Sequence, residues 1–311
     1  MRSFFPNPKS LADYIDMDSP EAVLHEVQII LGLIDPAMDS TRISDAFHLV
    51  VGLYRGHWPS EQACNTHFHD LRHMTDTVLA MARLIHGAIL NGHSMDYRQI
   101  LTGLVGAMAH DAGYIQDKGD GTGTGAKYTI IHVQRSMDFI ERYGRQCGLG
   151  AEEIPVCRLL IQCTDLEADI ASIHFPSATY ALLGKILACA DLIGQMADRI
   201  YLEKLFYLFR EFEEGQVNGY RDEMDLLSKT KAFFPLVGER IKDQLGGVDE
   251  FAVAHFKSRW DIPENLYSAA IEKQKRHLAR ILALGDCGPC DYLRRKNIVR
   301  KISCQTDQED G

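Results

Sequence analysis

The stretch LTGLVGAMAHDAGY occupies residues 101–114, and its small and apolar residues lead into the adjacent pair His110 and Asp111. The apolar residues recur at helical spacing, which predicts a buried helix. An ionisable pair in such a place is costly unless it is paired or bound to a metal ion. The stretch therefore predicts a helical fold with a polar site inside it.

The same helical spacing extends over nearly the whole chain of 311 residues, and no run alternates convincingly as a strand would. This pattern predicts an all-α fold. A Ser-Pro-Glu start signal at Ser19 to Glu21 begins a first helix, and the segment DSTRISDAFHLVVGLY follows as a second. Further helices are predicted over residues 70–90, 97–109, 129–143, 152–163, 179–212, 220–244, 248–260 and 264–284.

No Pro/Ser-rich linker, repeat or compositional break divides the chain. We therefore expect a single compact multi-helix bundle. Residues 1–60 would form an N-terminal helical extension packed on the core, and residues 61–285 the domain that carries the site. Residues 286–311 are basic and then acidic, with few apolar residues after Ile302, which predicts a partly disordered C-terminal tail.

The charge of the chain excludes some partners. Its 43 acidic and 33 basic residues give a formal net charge of −10, which repels nucleic-acid phosphates and anionic lipid surfaces. We therefore expect neither duplex nucleic acid nor a membrane as a partner. The expected partner is a small molecule. The sequence leaves the oligomeric state open, and a homo-oligomer is possible. The first residues lack the apolar run of a secretory signal, and no run approaches the roughly 20 residues that span a bilayer, which predicts a cytoplasmic protein.

The eight cysteines are mostly isolated and often lie in apolar runs, which is typical of reduced core thiols. Only Cys287 and Cys290 form a CxxC pair. A structural zinc site normally needs two such pairs, or one pair with two distant histidines. We therefore interpret Cys287 and Cys290 as a turn with two incidental thiols.

The segment from Asp117 to Thr129, DKGDGTGTGAKYT, is rich in glycine. It does not fit the phosphate-loop pattern, because Lys127 is neither directly preceded by Gly nor followed by Ser or Thr. The default interpretation is a flexible loop. Since the loop follows His110 and Asp111 closely, it is also a candidate rim or lid of a site there.

A second polar stretch lies upstream, where HFHDLRHMTDT at residues 67–77 holds three histidines and two aspartates. His69 and His73 are four residues apart, so on a helix they share one face and lie one turn from each other. This spacing allows one imidazole to bind a metal while the other faces the same cavity. On its own, the pair is also compatible with the polar face of a surface helix.

A third polar position, Asp191, lies among small and apolar residues in KILACADLIGQM, where an isolated carboxylate must bind a proton or a cation. His73, His110, Asp111 and Asp191 together offer two nitrogen and two oxygen ligands. Such a mixed set suits Zn²⁺, Mn²⁺, Fe²⁺ or Co²⁺ and, less strongly, Mg²⁺. It leaves positions open for water, which is typical of a catalytic metal.

These segments resemble a known family. FHDLRHMTDT resembles the Tyr-His-Asn-x-x-His-Ala-x-Asp-Val signature of class I cyclic nucleotide phosphodiesterases, and AHDAGY and ACADLIG resemble the later metal-binding segments of the HD-domain phosphohydrolases. The order of a His, a His-Asp pair and a distant Asp is the pattern of that superfamily. The resemblance covers about residues 68–216 and implies an HD-domain, phosphodiesterase-like bundle.

The resemblance implies a role for each matching residue. His73, His110, Asp111 and Asp191 would be metal ligands, with Asp111 bridging to a second ion, so that one or two divalent ions would be bound. His69 falls where the phosphodiesterases have the general acid that protonates the leaving oxygen, and a histidine is suited to that task near neutral pH.

Other residues are expected around the ligands. By the resemblance, His132 and Asp165 would orient ligands or waters, and Asp76 would support the helix or a ligand from behind. Tyr114 stands where the phosphodiesterases have a further histidine, which leaves the second ion in question and makes Tyr114 a candidate substrate contact. Phe233 and Phe234 are candidates for an aromatic clamp by position along the chain.

The predicted function is a metal-dependent phosphohydrolase, with a phosphodiesterase of a cyclic nucleotide or related phosphoester favoured because of His69. Three alternatives remain at this stage. The first is a nucleotide phosphomonoesterase of the same superfamily. The second is a non-catalytic sensor or scaffold that binds a nucleotide. The third is an oxygenase, since some diiron enzymes use a related helical pattern of His and Asp.

Overall fold

The computed structural model describes residues 10–284 and 291–302, and the all-α prediction is confirmed within them. No strand occurs in these ranges; Glu61 and Asp117 form only an isolated bridge. The helices are α1 (Pro20–Ile34), α2 (Thr41–Tyr54), α3 (Leu71–Leu90), α4 (Tyr97–Ala109), α5 (His132–Tyr143), α6 (Glu153–Gln162), α7 (Ala178–Ala197), α8 (Tyr201–Glu214), α9 (Glu223–Glu239), α10 (Phe251–Trp260) and α11 (Leu266–Ala283).

The helix starts follow local capping chemistry. The Ser19 hydroxyl accepts a hydrogen bond from the backbone N–H of Ala22, and Pro20 occupies the first turn of α1, where no N–H is needed. Asp70 caps α3 in the same way, because its carboxylate accepts the backbone N–H of His73 at 2.9 Å. The cap thus fixes the first turn of α3, from which His73 projects.

Helix α3 lies at the centre of the bundle and packs against α1, α4, α7 and α10. Nearly every side chain from His73 to Ala88 is buried, including polar ones such as Thr77 and Arg83. A helix that is buried on all sides must satisfy its polar groups internally. The first turn of α3, the end of α4 and the middle of α7 therefore bring polar residues together inside the core.

The predicted single helix over residues 179–212 is wrong, because the chain leaves the helical conformation at Asp198 and begins α8 at Tyr201. The Asp198 carboxylate accepts hydrogen bonds from Arg72 of α3, at 2.9 and 3.2 Å, and from the backbone N–H of Ile200 at 3.2 Å. Its carbonyl oxygen accepts a hydrogen bond from Gln274 of α11. These tertiary contacts fix the break, and apolar periodicity gives no sign of them.

Helix α7 is long and apolar enough to cross a membrane by length and composition, but 67% of its most apolar window is buried inside the bundle. It packs against α3, α6 and α11. Burial among other helices accounts for its composition without a bilayer.

Both ends of the described chain pack on the bundle. Helix α1 lies on α3, and Glu26 of α1 forms an ion pair with Arg259 of α10 at 3.2 Å. Near the other end, Leu293 and Val299 are buried in the core although they belong to the segment predicted to be a partly disordered tail. Cys287 and Cys290 lie outside the described residues, as do residues 303–311.

Candidate metal centre and adjoining cavity

Four side chains converge on one point between α3, α4 and α7. His73 Nε2 lies 3.1 Å from each of three atoms, namely His110 Nε2, Asp111 Oδ2 and Asp191 Oδ1. His110 Nε2 lies 3.4 Å from the same Asp111 oxygen and 3.6 Å from the same Asp191 oxygen. The four residues that the sequence predicts as ligands are therefore close together in the fold, although they are up to 118 positions apart in the chain.

The distances from His73 Nε2 and His110 Nε2 to the carboxylate oxygens fit one divalent ion, and the donor atoms of His73, His110 and Asp111 all lie within 4.8 Å of one another. With metal–ligand distances of about 2.0–2.2 Å, donors around a single ion lie about 2.8–3.6 Å apart in octahedral or tetrahedral geometry. The tautomer of His110 also fits, because its Nδ1 donates to the carbonyl oxygen of Ala107 at 2.8 Å and so leaves a lone pair on Nε2 when the ring is neutral. Asp111 Oδ2 is buried and has no hydrogen-bond partner in the described chain. A divalent cation would give this oxygen a partner.

The pKa values of the clustered residues also favour positive charge at this point. Burial lowers the pKa of His73, but the carboxylates of Asp111 and Asp191 outweigh burial and raise the pKa to about 9. The pKa of His110 is likewise raised well above its ordinary value, against burial, by the same two carboxylates. The pKa of Asp111 is held well below its usual range, mainly by His110, although burial opposes this. The two buried carboxylates therefore favour positive charge at this point, which a divalent cation would supply.

His69 lies beside the cluster and is held by a buried carboxylate. Its Nδ1 lies 2.6 Å from Oε2 of Glu211, which projects from α8. The other Glu211 oxygen accepts the backbone N–H groups of His67 and Phe68 at 2.8 and 2.6 Å. Because a carboxylate only accepts, Nδ1 carries the proton, and Nε2 is the nitrogen available to a ligand.

Tyr114 stacks on two histidines of the site, whose own ring centroids lie 6.2 Å apart. Its ring stacks on His69, with centroids 4.4 Å apart, and on His132, with centroids 4.6 Å apart. His132 donates from Nδ1 to the carbonyl oxygen of Thr129 at 2.6 Å, and its Nε2 lies 3.7 Å from Asp111 Oδ1. Burial lowers the pKa of His132. His132 therefore faces the candidate ligand Asp111, and the orienting role that the family resemblance implies for it stays a prediction.

Asp165 and Asp76 lie apart from the four donor atoms. Asp165 lines the adjoining cavity, but its carboxylate accepts the backbone N–H of Glu167 at 2.9 Å. Asp76 lies 3.7 Å from Arg72, on the side of α3 that faces Asp198. Burial, followed by the charge of Asp198, raises the pKa of Asp76 to about 8. Neither carboxylate forms a hydrogen bond or an ion pair with the predicted ligands in the described chain, although the charge of His73 acts on Asp76.

A cavity of about 640 Å³ opens beside the cluster, and His69, Asp111, Tyr114 and Asp191 form part of its wall. Phe233 lines this cavity, and its predicted contact with a substrate stays a prediction. Phe234 does not line the cavity. Its ring is buried and packs edge-to-face with Tyr201, with the ring centroids 6.1 Å apart. Most of the remaining wall is apolar and includes Met137, Leu166, Leu192, Leu205, Leu208, Phe212, Val217 and Leu226.

Two residues at the site were not predicted from the sequence. Gln195 lies one turn after Asp191 on α7, and its Nε2 donates to Asp191 Oδ1 at 3.2 Å. Glu211 holds His69 as described above. The one signal for Gln195 is its spacing of four residues from Asp191 in the sequence. Glu211 lies in an acidic stretch of an amphipathic helix, where nothing distinguishes it from its exposed neighbours.

The Gly-rich segment of residues 117–129 is anchored beside the site. Thr124 donates to the Glu214 carboxylate of α8 through its hydroxyl at 2.5 Å, and the Asp120 carboxylate pairs with Lys127. Only Thr129 of this segment lines the cavity, and residues 130–134 continue the rim. The rim therefore starts where the Gly-rich segment ends.

Comparison with known proteins gives one partial match. A family model described as Npun_R2479-like matches residues 118–252, a range that includes His132 and Asp191 but begins after His110 and Asp111. No curated protein and no solved structure matches the chain.

Proposed function

We propose that this protein is a metal-dependent phosphohydrolase of the HD-domain type that hydrolyses a phosphodiester of a nucleotide or a related organic phosphoester. The proposal depends mainly on one observation. The donor atoms of His73, His110, Asp111 and Asp191 lie within 3.6 Å of the His73 or His110 Nε2 atom, beside a cavity that also exposes His69. The order of these residues in the chain, and not a match to a known enzyme, supports the superfamily.

His73, His110, Asp111 and Asp191 would hold the ion, or the first of two ions. Bound there, a divalent cation would lower the pKa of a water molecule, whose oxygen replaces the leaving group on phosphorus, and would neutralise phosphate charge. His69 as imidazolium donates a proton from Nε2 to the departing oxygen, while Glu211 holds Nδ1. Tyr114 limits rotation of the His69 ring by stacking on it. The apolar wall, with Phe233, receives the organic group of the ester.

The charge of the cavity favours a diester over a monoester. Lys229 is the one Lys or Arg among the described residues of the cavity wall, and it is already paired with Asp225 at 2.7 Å. A phosphodiester carries one negative charge, whereas a monoester carries nearly two at neutral pH. A wall with so little positive charge beyond the candidate metal site fits the diester better.

The first test is the metal content of the purified protein together with hydrolysis of a panel of phosphodiesters and nucleotides. We expect bound divalent metal, loss of activity on chelation, and recovery with at least one of Zn²⁺, Mn²⁺, Fe²⁺, Co²⁺ and Mg²⁺. The variant Asp191→Asn should lose the metal, and His69→Asn should keep it while losing turnover by about 100-fold or more. Asp138→Asn, an exposed carboxylate of α5, is the matched control and should change neither.

Other results would identify another class of protein. Purified protein without bound metal, and without activity after any of the five ions is added, would contradict the proposal and favour a sensor or scaffold. Oxygen consumption with a diiron spectroscopic signature would favour an oxygenase. Rapid hydrolysis of monoesters with no hydrolysis of diesters would retain the phosphohydrolase but overturn the preference for diesters.

A further inference from the structure

A second, basic cavity lies on the other face of the segment that carries His69. Two adjoining spaces of about 500 and 340 Å³ share Asp18, Arg72 and Lys296 in their walls. Residues 64–75 separate them from the candidate active-site cavity, since Phe68 and His69 face that cavity, whereas His67, Asp70 and Arg72 face this one. We call the two adjoining spaces the basic groove.

The charge of the basic groove is opposite to that of the chain. Seven basic residues line it against three acidic ones, Asp16, Asp18 and Asp70, although acidic residues outnumber basic ones by 43 to 33 over the whole sequence. A concave surface with a local excess of positive charge concentrates anions. The basic residues are Arg55, Arg72, Arg199, Lys204, Arg295, Lys296 and Lys301.

Some of these cations are occupied and others are available. Arg72 pairs with Asp198 at 2.9 Å, and Lys204 pairs with Asp70 at 3.1 Å. Arg55, Arg199 and Lys301 are exposed and have no ion-pair partner in the described part of the chain. An anion in the larger space would therefore meet two such cations, Arg55 and Lys301, without breaking an existing pair.

Tyr54 gives independent evidence for a ligand. It lies at the end of α2 in the wall of the groove and is 4% exposed, and its hydroxyl is buried without a hydrogen-bond partner in the described chain. Burial, followed by the charge of Asp111, raises the pKa of Tyr54 well above its ordinary value, so the hydroxyl stays protonated. A buried donor with no acceptor carries a free-energy penalty that an anionic oxygen in the groove would remove.

We propose that the basic groove is a binding site for a small solute that carries two or more phosphate groups, with Arg55, Lys301 and the Tyr54 hydroxyl as its main contacts. The combined volume is that of a small-molecule site, and Arg recognises phosphate oxygens through paired N–H donors. A net excess of positive residues suits an anion of more than one charge. The proposal concerns binding alone and does not depend on the function of the metal centre.

The test is calorimetric titration of the full-length protein with methylenediphosphonate, which resists hydrolysis at the candidate active site. We expect saturable binding that weakens at least tenfold in the double variant Arg55→Ala/Lys301→Ala and severalfold in Tyr54→Phe. Lys231→Ala removes an exposed lysine of α9 outside the groove and should leave the affinity unchanged. Asp191→Asn, which alters the metal centre, should also leave it unchanged.

Three results would overturn the proposal. They are no binding to the wild-type protein, binding that Asp191→Asn abolishes while the groove variants keep it, and binding that none of the variants weakens. Thermal unfolding of each variant checks that a weaker affinity does not come from loss of the fold. Without ligand, Tyr54→Phe should be at least as stable as wild type because it removes an unpaired hydroxyl. With ligand, the wild-type protein should gain more in melting temperature than Tyr54→Phe does.

Discussion

The imidazole Nδ1 of His69 lies 2.6 Å from Oε2 of Glu211, and the Glu211 side chain is itself fixed by the backbone N–H groups of residues 67 and 68. The carboxylate comes from α8, far along the chain from the histidine. Because both of its oxygens are engaged, Glu211 restricts His69 to one tautomer and one ring orientation. Glu211 is thus a positioning residue for the proposed proton donor.

The variant Glu211→Gln should lower kcat by about 10- to 100-fold, because an amide no longer stabilises the charged imidazole that donates the proton. The KM and the metal content should change little, since Glu211 does not contact the four ligands. Steady-state kinetics and metal analysis measure these quantities. Glu213→Gln, an exposed residue of the same helix paired with Arg210, is the control. An unchanged kcat, or loss of metal, would contradict the role assigned to Glu211.

The variant Phe233→Ala should raise KM for phosphoesters with an aromatic group by about tenfold, because an aromatic contact contributes about 0.5–1.5 kcal/mol beyond its buried area. KM for small aliphatic phosphoesters should change less, and kcat little. Leu236→Ala, which is 61% exposed on α9, is the matched control. Equal effects of Phe233→Ala on both ester classes would show that this ring does not contact the substrate group.

Much of the fold follows from local sequence. Helices such as α3 and α4 begin and end within about one or two residues of their predicted bounds. The reason is that apolar periodicity and the capping residues Asp70 and Asp96 act locally. The break at Asp198 does not follow, since it depends on Arg72 and Gln274, which come from other helices. A pattern of period 3.6 carries no information about such partners.

Part of the candidate site can also be predicted from local sequence, and part depends on tertiary contacts. His110, Asp111 and Asp191 stand out because ionisable groups in apolar runs need a partner, and the fold brings them to His73. Glu211 does not stand out, since a carboxylate in an amphipathic helix looks exposed until the tertiary contact with His69 is known. Phe234 stood out in the sequence but does not belong to the cavity wall. Its position next to Phe233 suggested a clamp, but adjacent residues on a helix point about 100° apart, and only Phe233 reaches the cavity.

Gly125 lies against the site, and we expect Gly125→Ala to disturb it. A Cβ there would overlap the carbonyl oxygen of Tyr114, whose ring stacks on both His69 and His132. The free energy of unfolding should fall by about 1–3 kcal/mol, and turnover should fall as the stack moves. Gly121→Ala, in open space in the same loop, should change stability by less than about 0.5 kcal/mol. Urea denaturation and kinetics measure both. Equal stability of the two variants would contradict the close packing at Gly125.

A buried histidine pair away from the site should make stability depend on pH. Nδ1 of His86 lies 2.9 Å from Nδ1 of His255, and both rings are almost completely buried. Burial, followed by the charges of Arg83 and His86, lowers the pKa of His255 to about 2, and burial also lowers the pKa of His86. Both rings are therefore neutral in the folded protein near neutral pH.

Because these folded-state pKa values lie below the ordinary value of about 6.5, the unfolded chain binds more protons in acid. Their contribution to stability is complete above about pH 6.5 and is lost progressively as the pH falls toward the folded values. For each such proton, the free energy of unfolding should fall by up to about 1.4 kcal/mol per pH unit. His255→Gln, which removes one of the two groups, should therefore reduce the slope of unfolding free energy against pH between about pH 4.5 and 6. Urea denaturation at several pH values measures this slope, and His174→Gln, an exposed histidine, should leave it unchanged. A slope that His255→Gln does not reduce would show that His255 is not held neutral in the fold.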